Sequence, residues 1–259
     1  LFLLTDGRFI ESVLIPASPA LYGERSDRRT LCVSTQVGCA MGCAFCASGL
    51  AGLARNLRVD EMVGQLLAVE SASGEKVNNL VFMGMGEPLA NLRAVEQALT
   101  ILNAPWGLNL GARRITVSTC GLAPAIRRFA AFPLPVRLAV SLHGATDEVR
   151  DRILPVYRKW NLAELFDALR VWQQHRKQML TFEYILIQGV NDDLDQARRL
   201  AGHARALEAK VNLIPCNPVE GLPWQRPPED RCRAFRDALR RAGIPATLRL
   251  ENGQDIEAA

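Results

Sequence analysis

Cys39, Cys43 and Cys46 stand at CxxxCxxC spacing in Cys39-Ala-Met-Gly-Cys43-Ala-Phe-Cys46, just after a short β-rich run. Three thiolates on one loop suit an iron–sulfur cluster that needs four ligands, because the missing fourth leaves one iron open. An open iron can hold a substrate or cofactor, whereas a fully ligated cluster mainly passes electrons. The competing reading is a zinc knot. Zinc prefers paired CxxC units with a second pair far along the chain, and no second CxxC exists here. The spacing therefore predicts a 4Fe-4S cluster.

Further polar residues fall where predicted strands end. Gly84-Met-Gly86-Glu87-Pro88 closes one strand, Ser118-Thr119 the next, Ser141-Leu142-His143 the one after, and Asn217 follows Pro215-Cys216. Glycines let backbone approach a ligand closely, and Glu87 can accept from an ammonium group. Each segment also has a plain reading. Glu87 could cap a tight strand-to-helix turn, the serines could satisfy local backbone, and Asn217 could be a turn residue. Their repetition at successive strand ends points to a polar pocket.

The elements that must carry these residues alternate. Strands are predicted at Leu31–Val37, Val77–Met85, Arg114–Cys120, Val136–His143, Thr181–Ile187, Val211–Cys216 and Ala246–Leu250. Helices are predicted at Val59–Ser71, Leu92–Leu102, Pro124–Phe129, Leu162–His175, Asp192–Leu207 and Glu229–Ala242. Near-continuous apolar strands read as buried on both faces. Strict alternation implies a parallel sheet with right-handed crossovers. Six or so units are too few for a closed eight-unit barrel, so the expected class is α/β: a partial, open (β/α)6-type TIM barrel. Phe9–Ile15 alternates like an extra strand, giving an N-terminal β extension, and 16–29 reads as a polar loop. The whole of 1–259 reads as one domain, with 1–30 as strand and loop and 31–259 as the core barrel. Residues 215–228 hold five prolines and read as a long rim loop, of a length that is usually functional or mobile.

Composition narrows the classes. The chain has 259 residues and a formal charge of +4, with four lysines against 27 arginines. Arginine suits bidentate phosphate contacts, and Arg25–Arg29 and Arg231–Arg241 are the candidate RNA-holding segments. No run approaches the roughly 18 apolar residues of a membrane span, and no signal-peptide pattern opens the chain. Seven cysteines, an odd number, argue for a reducing cytoplasm over a disulfide framework. Leu1 in place of an initiator Met reads as an excised piece.

The CxxxCxxC motif with Phe45 before its last cysteine resembles the radical S-adenosylmethionine (SAM) superfamily. GMGEP (84–88), STCG (118–121), SLHGATDEVRD (141–151), LIQGVND (186–192) and NLIPCNP (212–218) resemble one branch, the RlmN/Cfr RNA methyltransferases, over about 10–259. Pro88 favours the RlmN side, which methylates adenine C2 in 23S rRNA and certain tRNAs, over the Cfr side, which makes 8-methyladenine. The resemblance implies that Cys39, Cys43 and Cys46 hold the cluster. It also implies that SAM lies against Gly86, Glu87, Ser118, Ser141, Leu142, His143 and Asn217, its amino and carboxylate groups on the open iron. An external electron donor such as flavodoxin or ferredoxin, and a monomeric enzyme, are implied as well.

Two catalytic roles come only from the resemblance: Cys32 as a resolving cysteine and Glu11 as a proton acceptor. From the residues themselves, Cys32 reads as a small buried hydrophobe and Glu11 as the wet face of a strand. Cys120, Cys216 and Cys232 match no catalytic cysteine. In the family, the segment matching 253–259 is followed by a methyl-carrying cysteine, and a small accessory domain precedes the core. Neither is present in these 259 residues, so the expectation is a fragment of the full enzyme that binds SAM without transferring a methyl group. Other readings are a different radical reaction, an electron-transfer module, or an RNA-binding remnant.

Overall fold

A computed structural model describes residues 1–17, 26–50 and 52–249. The chain opens with β1 (Phe2–Leu3), β2 (Phe9–Ile10) and β3 (Val13–Pro16), followed by β4 (Arg29–Cys32) and β5 (Gln36–Gly38). Then come α1 (Ala47–Leu50), β6 (Leu53–Asn56), α2 (Val59–Ser73), β7 (Asn79–Phe82), α3 (Leu92–Asn103), β8 (Ile115–Thr119) and α4 (Ala123–Ala130). The remainder is β9 (Arg137–Ser141), α5 (Asp147–Ile153), α6 (Leu162–His175), β10 (Thr181–Leu186), α7 (Leu194–Ala206), β11 (Lys210–Pro215), α8 (Glu229–Arg241) and β12 (Ala246–Leu248).

One eight-stranded sheet runs in the order β12-β11-β10-β9-β8-β7-β4-β3. All of its pairs are parallel except β3 on β4, where Val13 lies opposite Cys32. Strand order follows chain order, as right-handed crossovers through helices require. The sheet curls into a half barrel whose six strand–helix units and antiparallel extension match the class read from the sequence.

Its two faces differ in chemistry. Leu80, Phe82, Val117, Val140, Phe182, Tyr184 and Leu213 face the helices and are at most 1% exposed. Alternation puts Cys32, Val81, Thr116, Ser118, Ser141, Glu183, Asn212 and Thr247 on the concave face, most of them only half-buried. The strands are therefore not apolar on both faces. An open half barrel lacks the second half that would cover its lumen, so lumen positions carry polar groups. Glu183, Asn212 and Thr247 lie in register on three strands. Asn212 donates to the Glu183 carboxylate at 2.7 Å, and the Thr247 hydroxyl donates to Asn212 at 2.8 Å.

Three expectations shift locally. The predicted strand Leu31–Val37 breaks after Cys32 into β4 and β5, and at the break Ser34 is held by a side chain. Gln65 takes both the N–H and the carbonyl of Ser34, at 2.8 and 3.0 Å. The predicted Phe9–Ile15 strand splits into β2 and β3. Helix α5 was not foreseen. Its sequence DEVRDRI has little apolar periodicity, and it is started by the Thr146 hydroxyl, which accepts from the Val149 N–H. Residues 18–25, including Arg25, and 250–259, with the predicted end of the last strand, lie outside the described residues.

After β10, Asn191 is wholly buried and holds the ends of β9 and β10 together. It donates to the carbonyls of His143 and Ile185, both at 2.7 Å, and accepts from the Ile187 N–H at 2.7 Å. Asn191→Ala leaves three buried backbone groups without partners at roughly 1–3 kcal/mol each. Urea unfolding should show a loss of about 3 kcal/mol or more, against less than about 1 kcal/mol for the exposed Gln174→Ala.

Candidate functional site

The cysteine loop lies beyond the carboxyl end of β4, the end at which parallel α/β sheets place their ligands. Cys39, Cys43 and Cys46 are half-buried. The Cys43 thiol is pushed up to about 12 by burial and by the neighbouring Cys46 and Cys39 thiols, and burial raises Cys39 as well. Three thiols within mutual electrostatic reach resist ionising together, and bound cations would relieve that repulsion. Among the described residues no three His, Cys, Asp or Glu side chains converge as the ligands of a single ion. In a 4Fe-4S cluster each thiolate takes a different iron, so its ligands stand wider apart. This donor set fits such a cluster.

The loop has little regular structure and is clamped from two sides. The Ala44 N–H donates to the Ile153 carbonyl at 3.0 Å, while Trp224 Nε1 donates to the Ala44 carbonyl at 2.6 Å. The Arg152 guanidinium lies 5.5 Å over the Trp224 ring. Phe45 meets the His143 ring edge-on at 4.9 Å. The proline-rich 215–228 segment is thus a cover over the cysteine loop, tied also by Gln188 N–H to the Gln225 carbonyl at 3.0 Å.

The GMGEP turn packs under this loop. A Cβ at Gly86, where φ is +101°, would sit 2.6 Å from the Gln36 side chain, and one at Gly84 would sit 2.8 Å from Ser34 Oγ. These glycines make room for the chain's own 33–36 segment. Glu87 is 3% exposed. Its carboxylate accepts from the N–H groups of Leu89 at 2.9 Å and Cys120 at 2.7 Å, so the capping reading is realised. It also lies within electrostatic reach of Cys39 and Cys43, and burial raises its pKa. A cation brought between carboxylate and thiols would relieve both.

Ser118 and Ser141 are half-buried on the concave face, and their hydroxyls make no hydrogen bond among the described residues. Leu142 has its side chain in the core, and its carbonyl is taken by Arg150 and the Gly144 N–H. His143 adopts φ 56°. Its Nδ1 accepts from the Ile185 N–H at 3.0 Å, and burial together with Arg150 lowers its pKa to about 3. The ring is neutral, with Nε2 left as the donor. Asn217 is half-buried where β11 ends.

The two proposed catalytic residues differ in setting. Cys32 is on the lumen side of β4, its thiol raised to about 11 by burial, with Arg249 within electrostatic reach. Glu11 is exposed at the open edge of the sheet, where its carbonyl accepts from Ser34 Oγ at 2.7 Å. Its wet-face reading is the one the geometry displays.

Sequence reasoning missed Arg150. It is fully buried, and its guanidinium joins the carbonyls of Leu142 and Cys120 beneath the site, the latter at 3.2 Å. Its charge favours ionised Cys43. The signal was an arginine inside a recognised motif; only its burial shows what it does.

The model of the radical SAM superfamily matches residues 33–201. A probable dual-specificity RNA methyltransferase RlmN of Akkermansia muciniphila is 57% identical over 99% of this chain and 71% of its own length. A probable RlmN 3 of Opitutus terrae is 54% identical over 99% of this chain and 71% of its own. The crystal structure of a radical SAM methyltransferase from Sphaerobacter thermophilus superposes with a TM-score of 0.92 at 46% identity, covering 98% of this chain and 73% of that one.

Glu87→Ala strands two buried N–H groups and should lower stability by about 3 kcal/mol in urea unfolding, at roughly 1–3 kcal/mol per unpaired group. Glu87→Gln keeps an acceptor for one of the two N–H groups and strands the other, so it should cost roughly 1–3 kcal/mol, less than Glu87→Ala, which makes it the milder probe of charge.

Proposed function

The chain belongs to the radical SAM superfamily and, within it, to the RlmN family of RNA methyltransferases, and on that premise we propose that it converts adenosine to 2-methyladenosine in 23S rRNA and tRNA. A 4Fe-4S cluster and SAM are the cofactors of this superfamily. The observation that carries the reading is the placement of the CxxxCxxC loop, with the buried Glu87 carboxylate within electrostatic reach, at the carboxyl end of a half barrel.

In this proposal Cys39, Cys43 and Cys46 hold the cluster. Glu87 takes the amino group of SAM, and Gly86, Ser118, Ser141, Leu142, His143 and Asn217 line the rest of its site. When bound, the cluster supplies the electron that splits a carbon–sulfur bond of SAM, which gives an electron-poor adenine C2 the radical chemistry it needs.

The protein's own part is positioning. Glu87 is oriented by two backbone N–H groups, so it meets a cation without reorganising. Neutral His143 offers a donor and no competing charge. Trp224 holds the cysteine loop in place through Ala44. Cys32, in the lumen with Arg249 nearby, releases the RNA adduct, and the methyl group travels on a cysteine that the family pattern places after residue 259. Glu11 accepts a proton at the open edge of the sheet. An external flavodoxin- or ferredoxin-type donor provides electrons.

Cys43→Ala should abolish the cluster's visible absorbance after anaerobic reconstitution, and a full complement of iron and sulfide in that variant would falsify the ligand assignment. Glu87→Gln should weaken SAM about tenfold in an equilibrium titration, a loss of roughly 1.4 kcal/mol. With a protein carrying the later cysteine, mass spectrometry of digested RNA should find 2-methyladenosine, and Cys32→Ala should accumulate a covalent protein–RNA complex. A main product of 8-methyladenosine would place the chain on the Cfr side of the family.

A further inference from the structure

The amino-terminal mouth of the half barrel, opposite the cysteine loop, holds a second polar site. A cavity of about 260 Å³ is lined there by Arg113, Arg137, Gln178, Met179, Thr181 and Lys210. Arg137, Thr181 and Lys210 sit at the starts of β9, β10 and β11, and the other three come from the turns leading into β8 and β10. Among the described residues none of Arg113, Arg137 and Lys210 forms a salt bridge. Burial and the nearby Arg137 and Arg28 make Lys210 less basic, against the opposing pull of Glu183 deeper in the lumen. Cations gathered in this way repel one another, and an anion placed among them would relieve the repulsion.

The surroundings extend the same character. Trp106, 75% exposed, and Met179, 54% exposed, lie on turns at this end, together with Arg114, Arg176 and Lys177. An exposed aromatic beside cations is the arrangement that stacks unpaired bases while holding their backbone. Among the described residues the acids here include Glu75, engaged by Arg29, Glu70, engaged by Lys76, and Asp27 and Glu208.

The arginine-rich helix α8, by contrast, spends its charge internally. Arg231 pairs with Asp192 at 2.9 Å, Arg233 with Glu229 at 2.6 Å and Arg236 with Asp237 at 2.8 Å, while Arg240 donates to the Ala246 carbonyl at 3.0 Å. The carboxyl end of the barrel is covered by the cysteine loop and Trp224. At the mouth, among the described residues, Arg113, Arg137 and Lys210 have no acidic partner.

We propose that this mouth docks the sugar–phosphate backbone of RNA flanking the target adenosine. The proposal rests on the RNA methyltransferase reading and names the surface through which that substrate is held. Strand β11 spans about 17 Å from Lys210 to Pro215 at roughly 3.3 Å per residue, farther than one nucleotide reaches from phosphate to base edge. The phosphates bound at the mouth therefore belong to neighbouring nucleotides, while the target base is turned in toward the cofactor end. Along the way lies the polar Glu183–Asn212–Thr247 row.

The test is fluorescence anisotropy of a labelled RNA hairpin with unpaired adenosines, bound to the reconstituted protein between 50 and 300 mM KCl. For Arg113→Ala/Arg137→Ala/Lys210→Ala, three lost phosphate contacts at about 0.7 each should make the log–log salt slope shallower by roughly two. Affinity at 100 mM salt should fall about tenfold or more, with SAM affinity and circular dichroism unchanged. Arg113→Glu, on an exposed turn that can fold regardless, should weaken RNA at least about threefold, while Arg233→Ala/Arg240→Ala on α8 should not. Wild-type affinity and slope in the triple variant and in Arg113→Glu overturn the proposal, as does equal weakening by the α8 variant. A wild-type protein that binds no RNA even at 50 mM salt overturns the RNA reading together with it.

Discussion

Holding three thiols within reach of one another, beside a buried carboxylate, is the constraint on which the rest of this structure depends. Left to itself the cysteine loop would open, because its groups repel when ionised and its backbone has little ladder to hold it. Neighbours supply the restraint: α5 through Ile153, the rim loop through Trp224, and β9 through the His143–Phe45 contact. They come from two strand–helix units, the one that β9 opens and the one that β11 opens. The loop therefore acquires its shape only when the half barrel is assembled, and a site on scattered strand ends is as rigid as the sheet beneath it.

The same logic explains why so much buried polarity is tolerated around it. Gln65, Asn91, Arg150 and Asn191 are all buried, and each spends its side chain on backbone groups of loops that have left the sheet. An unpaired buried N–H or carbonyl costs about as much as a lost hydrogen bond. Irregular backbone at a strand end can thus be buried only with such partners. Asn91 donates to Thr35 and Leu57 together, at 3.1 and 2.8 Å, and so sews the start of the cysteine segment to its end.

These residues mark the limit of what could be read beforehand. The helix Leu162–His175 has its predicted bounds, and the strands of the sheet fall within a few residues of theirs, because periodicity is a local signal. The cysteine spacing is local too. Arg150, Asn191 and Gln65 have no local signature: Gln65 meets Ser34 across 31 positions, and Asn191 meets His143 across 48. The polar lumen escaped for a related reason. Strand sequences such as Arg137-Leu-Ala-Val-Ser141 look apolar throughout, and only closure of half a barrel decides which alternate residues lack a covering layer. Glu87 shows a subtler gap, since its capping and ligand-binding readings were weighed as rivals. The carboxylate that caps the turn is also the one that faces the thiols.

That double placement has an energetic consequence. Two N–H groups fix Glu87 where burial and the nearby thiols oppose its charge. Without cations the arrangement is held against its own electrostatics by the surrounding fold. Iron on the thiols and an ammonium group against Glu87 would each remove part of the repulsion, so the two ligands favour the same geometry for the same reason. Binding energy of this kind is drawn from strain already present in the fold, and metal binding and folding become coupled. A site of this type need not close around its cofactors. It needs neighbours stiff enough to keep the thiols and the carboxylate together until the cofactors arrive, which the clamped Ala44, the buried Arg150 and the pinned strand ends provide.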